Sequence, residues 1–335
     1  MRFLFDCVEQ LDLAVRQFEH EEHPTFARFA LILVDNAVEL LLYRYCEDEL
    51  MMDDMMRRMR AERMSDTDRA DARSQRVDAK LAFCQRRKVV SLDEAAVIRH
   101  AHALRNESYH AGVVREDVVR DIALTYYTIA CDLLVRWPRY MTSWSSRDQV
   151  SPAVARHLTD AGSSMLRSHD AVRAEAVASL RGARPAPKRT LAQALAASLV
   201  RRIERLTGGL EFIADCLDAE GEVGRALYEA QLYAFLRGPS SPLRVKAGGK
   251  RLGFREYHDR VAEIRASWTP RFRTSPFPRF LRRAQDLRRE RSDSRAIAKY
   301  ERLVDEMEVI STEVSDAVEY FDAKVQEGVD LARGK

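Results

Sequence analysis

The sequence predicts an all-α protein, mostly helix, with a C-terminal part that also holds one small β-hairpin. Three observations lead there. Glycine and proline are sparse, 13 and 10 of 335 residues, so few turns interrupt the chain. Apolar residues recur at spacings of three and four along most of its length, and helix start and stop signals bracket those runs.

Residues 3–21 read as an amphipathic helix with Phe3, Leu4, Val8, Leu11, Val15 and Phe18 inward. Pro24 and Thr25 then open a second helix, forming a hairpin with the first. Its apolar run from Phe26 to Tyr45 is interrupted by Arg28, Asp35, Asn36, Glu39 and Arg44, which marks a buried helix and excludes a membrane span. From Glu47 to Arg76 charge and methionine dominate, including Met51, Met52, Met55, Met56 and Met59, and this reads as a protruding helical extension near 47–78. The methionine spacing favours helix packing over partner contact.

Ser91-Leu92-Asp93-Glu94 is a capping-box start, and Gly112 closes the helix that follows. Glu116 to Trp137 is the next helix, apolar through Val118, Val119, Ile122, Leu124, Tyr126, Ile129, Leu133 and Leu134, and Pro138 ends it. The Ser143–Pro152 stretch is the domain junction. Residues 1–142 therefore read as one helical bundle and 150–335 as a second helical domain. In that half, Gly182–Pro187 breaks the helices, Leu191–Leu206 and Leu210–Leu236 are helical, and Leu243–Phe254 reads as a β-hairpin around Gly248-Gly249. Everything after Glu256 is helical again.

The net charge of +3 hides a segregation. Arg237–Arg295 holds 17 Lys+Arg against 6 Asp+Glu, and Glu301–Lys335 holds 10 acids against 4 bases. Phe254, Tyr257, Trp268, Phe272, Phe277 and Phe280 interleave Arg251, Arg255, Arg271, Arg273, Arg279, Arg282 and Arg283. Phosphate contact with base stacking would use such a segment, and Arg251, Arg255, Trp268, Arg271, Arg273 and Arg279 are the candidate RNA-binding residues. The competing reading makes the aromatics core and the arginines either a solvated face or partners of the acidic helix from Glu301 onward.

Cys7, Cys46, Cys84, Cys131 and Cys216 lack C-x-x-C spacing and read as reduced core thiols, the usage of a cytoplasmic protein. The N-terminus runs straight into acids with no leader pattern. No cofactor and no metal are expected. His20 and His23 sit at a helix end beside Pro24, while His100 and His102 point roughly 200° apart on a helix.

Chemistry concentrates in Arg105-Asn106-Glu107-Ser108-Tyr109-His110. On that helix Val97, Ala101, Leu104 and Ser108 form the packing stripe, and His102, Asn106 and His110 form a second stripe, each four apart. Arg105 and His110 lie roughly 140° apart, flanking a groove that suits a phosphate. Such a pair supports transesterification, in which a ribose 2'-hydroxyl attacks the adjacent phosphorus and leaves a 2',3'-cyclic phosphate and a free 5'-hydroxyl. Histidine takes and returns the proton, while a forked, permanently charged guanidinium meets the phosphate oxygens. Asn106 is placed to orient the ribose or the imidazole.

This hexapeptide resembles the R-x4-6-H signature of the HEPN superfamily, in which a polar residue often follows the arginine. The similarity covers about the first 140 residues: Phe26–Leu42 is similar to the long second helix of HEPN bundles, and Thr125–Trp137 to the closing helix. The resemblance implies a bundle that dimerises so that two motifs build one metal-independent ribonuclease site. By that carry-over Arg105 and His110 are the catalytic pair and Asn106 the supporting polar residue, with Tyr109 lining the groove; His102, on the stripe of Asn106 and His110, is a further supporting residue.

The expected function is therefore a dimeric endoribonuclease acting on RNA, a toxin or antiviral effector restrained by an antitoxin or regulatory protein. The alternative is a non-catalytic HEPN-like scaffold or antitoxin-like regulator that dimerises and binds RNA.

Overall fold

The structure, a computed structural model, describes residues 2–20, 23–59, 64–110, 116–136, 150–160, 167–217, 222–238, 241–243 and 254–333. Among these, 82% helix and no strand bear out the all-α fold class. The expected β-hairpin and most of the expected junction fall outside the described residues.

The chain divides into two compact units, 1–195 with 290–298, and 196–289 with 299–335. The first unit is built on α2 (Pro24–Arg58), which packs against α1 (Arg2–Gln17), α3 (Asp66–Arg73), α4 (Val77–Arg86), α5 (Leu92–His110) and α6 (Glu116–Arg136). At 35 residues α2 is about 50 Å long, enough to carry both a site and a remote anchor.

Sequence signals explain where these helices begin. Pro24 sits in the first turn of α2, where its missing N–H costs nothing. The capping box of α5 forms in both directions: Ser91 N donates to Glu94 Oε2 at 2.8 Å, and Glu94 N donates to Ser91 Oγ at 3.2 Å. Glu94 also pairs with Arg136, which ties the start of α5 to the end of α6. At the end of α4, Lys88 takes a left-handed turn (φ 60°) and Val89 N bonds Cys84 O at 3.0 Å, closing that helix in a Schellman-type cap. The core is apolar as the periodicity requires, with Leu11, Phe18, Leu31, Ile98, Ile122, Tyr126, Tyr127 and Leu134 almost wholly buried.

Two expectations need revision. Met51, Met55 and Met59 are exposed while Met52 and Met56 are half-buried, so the methionine run packs only in part; the side of α2 facing α3 presents buried Asp53. Residues 152–183 pack with the first unit: α7 (Pro152–Ala155) and α8 (His169–Ala183) lie on α1, and α8 also lies on α6. Polar contacts hold them, with His157 Nε2 2.9 Å from buried Asp12 and Tyr127 Oη donating to Leu180 O at 3.2 Å.

The second unit comprises most of α9 (Leu191–Cys216), α10 (Val223–Arg237), α11 (Phe254–Ser267), α12 (Phe277–Leu287) and most of α13 (Asp293–Ala332). A Cβ on Gly209 would lie 3.0 Å from Val318 and 3.3 Å from Val314, so glycine there permits the close approach of α9 to α13.

The five cysteines are free, with Cys7, Cys46, Cys84 and Cys131 buried and Cys216 partly so. Burial pushes the Cys131 thiol up to about 12. No helix among the described residues is long and apolar enough to cross a membrane.

Candidate functional site

The structure joins the C-terminal part of α5 to the middle of α2. His102 and Arg105, three apart, share the α5 face turned toward Asp35, Asn36 and Glu39. Asp35 is wholly buried. Its Oδ1 accepts from Tyr126 Oη at 2.8 Å, while its Oδ2 lies 3.0 Å from His102 Nδ1 and 3.4 Å from Arg105 Nε. Glu39 Oε1 lies 3.1 Å from the same imidazole nitrogen.

Arg105 is braced further by Asn106 Oδ1, which accepts from Nη1 at 3.0 Å, and weakly by Asn36 Oδ1 at 3.4 Å. About a quarter of the Arg105 side chain faces solvent. A groove of about 420 Å³ opens beside this cluster, lined by Asn36, Glu39, Tyr43, Gln75 and Lys80 among others.

Of the expected site residues, the structure thus brings together Arg105, Asn106 and His102. The side chains of Tyr109 and His110 lie outside the described ones, although α5 itself extends through His110. Asp35, Asn36, Glu39 and Tyr126 were not anticipated as members of the site. Their one signal in the sequence is the polar interruption of the apolar run from Phe26 to Tyr45.

Hydrogen bonds donated by Nδ1 to Asp35 and Glu39 hold the His102 imidazole at about 9, so it is an imidazolium at neutral pH. The same hydrogen bond lowers Glu39, and burial raises Tyr126 far enough to keep its phenol neutral. His102 therefore supplies fixed positive charge and not a general base. Because the folded pKa exceeds the unfolded value, the stabilisation is complete below pH 6.5 and is lost as pH rises through about 9. The groups facing the imidazole are Asp35 and Glu39 from α2, Arg105 on its own helix and the hydroxyl of Tyr126 held on Asp35. In EDTA, the stability advantage of wild type over His102→Gln should be largest at pH 6 and should shrink toward pH 10. Urea denaturation at both pH values checks this, and a constant difference would contradict it.

In the second unit the candidate RNA-binding residues differ in their surroundings. Arg251 lies outside the described residues. Arg255, Arg271 and Arg273 are exposed, and Arg279 is exposed with Nη2 3.7 Å from Glu306. Trp268 is half-buried, edge-on to Tyr228 at 5.3 Å and 5.7 Å from Phe235, so packing already uses its ring. Phe277 and Phe280 are core, and Arg283 and Arg302 also pair with Glu306. This is the pairing of the basic segment with the acidic helix that the charge pattern offered as its second reading.

Compared with protein-family models, curated proteins and solved structures, the chain matches none of them.

Proposed function

We propose that the chain is a metal-independent endoribonuclease of the HEPN type, with Arg105 and His110 as its catalytic pair in a homodimeric composite site. Arg105 binds the scissile phosphate and stabilises its developing charge; His110 moves the proton of the attacking 2'-hydroxyl. The observation that carries this reading is the setting of Arg105. A partly exposed guanidinium is oriented by Asp35 and Asn106 and reaches Asn36, a residue of the groove wall, five residues before a histidine on the same helix. Such bracing fixes the orientation of the fork. The biological reading that follows is a toxin or antiviral effector acting on RNA, restrained by an antitoxin or regulatory protein.

A second reading has its own observation. The contacts of Arg105 and His102 also pin α5 to α2, which is what a non-catalytic scaffold or antitoxin-like regulator would need.

Cleavage of synthetic and total RNA in EDTA separates the two. Wild type is expected to leave 2',3'-cyclic phosphate ends, with Arg105→Ala and His110→Ala each reducing the rate at least about 100-fold at unchanged dimer content. Absence of cleavage by folded, dimeric wild type would favour the scaffold.

A further inference from the structure

We propose that Asp35, Glu39 and His102 form a binding site for one divalent transition-metal ion of zinc-like character. Sequence spacing gives no hint of it, because the ligands come from helices 63 residues apart between Glu39 and His102. In the structure, Asp35 and Glu39, four apart on α2, and His102 of α5 place one ligand atom each within 4.8 Å of the others. His102 Nδ1 stands 3.0 Å from one carboxylate oxygen and 3.1 Å from the other, and an incoming ion takes the place of the proton it shares with them.

These separations match metal coordination. Tetrahedral ligands at zinc bond lengths of about 2.0 Å lie about 3.3 Å apart, a few tenths of an ångström from the two imidazole-carboxylate separations, and the two carboxylate oxygens lie within 4.8 Å of each other. The donor set also selects. One imidazole with two carboxylates suits zinc and its first-row neighbours, whereas magnesium and calcium favour all-oxygen shells of carboxylates, carbonyls and water.

Two further features belong to a metal site more than to a plain ion pair. Tyr126 Oη holds Asp35 Oδ1 at 2.8 Å, which turns Oδ2 toward the imidazole and fixes the ligand from behind. Glu39 also lines the 420 Å³ groove, which supplies an access route and room for a water as fourth ligand. Arg105 Nε, 3.4 Å from Asp35 Oδ2, is the charge an incoming ion would displace, so occupancy would shift the guanidinium toward the groove. The inference does not depend on the ribonuclease reading, which is tested in EDTA.

Isothermal titration of the full chain with zinc chloride, and visible absorption after addition of cobalt(II), test it. Wild type is expected to bind one zinc per chain with a dissociation constant at or below the micromolar range, and to give cobalt ligand-field bands. Glu39→Gln and His102→Ala should each weaken binding at least about tenfold and abolish the bands, while His258→Ala, in the second unit, should change neither. Magnesium should give no saturable heat. Absence of saturable zinc binding would overturn the proposal, as would equal binding by wild type and a folded Glu39→Gln variant.

Discussion

Asp35→Ala is expected to destabilise the N-terminal unit by about 3 kcal/mol, in the lower part of the range for breaking a buried ion pair from one side. Asp35 is fully buried and meets three partners, Tyr126 Oη at 2.8 Å, His102 Nδ1 at 3.0 Å and Arg105 Nε at 3.4 Å. Alanine removes the acceptor from all three. His102 and Arg105 keep about a quarter of their side-chain surface in water, so solvent screens part of their loss. Tyr126 has no such escape, since its ring and hydroxyl are wholly buried, and an orphaned hydroxyl costs about 1–3 kcal/mol.

The tyrosine gives the prediction its internal check. Once Asp35 is alanine, adding Tyr126→Phe should recover about 1 kcal/mol, because the orphan donor is gone; in the wild-type background the same change should cost about that much. Asp35→Asn, which still accepts from Tyr126 but carries no charge, should fall between wild type and alanine. Urea denaturation of the four proteins measures the cycle. An Asp35→Ala loss under 1 kcal/mol, or no coupling to Tyr126, would show that α2 and α5 are held by apolar packing alone.

Residue periodicity made the helices legible, and local pairing made some of their ends legible. Ser91 and Glu94 are three apart, so their capping box could be read without knowing the fold. Pro24 announced α2 in the same way. The site was only half legible. Arg105, Asn106 and His102 share one helix, and helical geometry alone groups them. Asp35, Glu39 and Tyr126 reach the same point from α2 and α6, and no local rule pairs residues 67 or 91 positions apart. Their trace in the sequence was a negative one: charged and polar residues inside a run otherwise apolar enough for the core. A buried carboxylate at such a position demands a cationic or hydrogen-bonding partner, and the sequence alone does not say which residue supplies it. The same demand explains the methionine segment. Asp53 lies within it, and the residue that satisfies Asp53 dictates which side of α2 turns inward.

That partner is Arg69, and Asp53→Ala is expected to unravel the end of α2 together with α3. Asp53 is wholly buried and Arg69 nearly so. Arg69 Nε meets Asp53 Oδ2 at 2.7 Å and Nη2 donates to Met64 O at 2.8 Å, while Met64 N donates to Asp53 Oδ1 at 3.0 Å. The carboxylate therefore neutralises one buried cation and caps one buried amide. Its loss leaves the Met64 amide without its acceptor and Arg69 with the exposed Asp66 carboxylate, 2.8 Å from Nη1, as its counter-charge, a cost of about 3 kcal/mol. Replacing both partners with apolar residues, Asp53→Leu with Arg69→Met, removes the charge problem and should cost less than either single change. The damage should also stay local. Asp53 lies 18 residues beyond Asp35 on α2, about 27 Å along the axis, and the cluster around Asp35 has its own partners. Hydrogen exchange of Asp53→Ala should therefore show lost protection over residues 50–73 and retained protection in α5 and α6. If protection fell equally in all of these helices, the extension and the site would be one cooperative unit, and Arg69 would bear on the geometry of Arg105 after all.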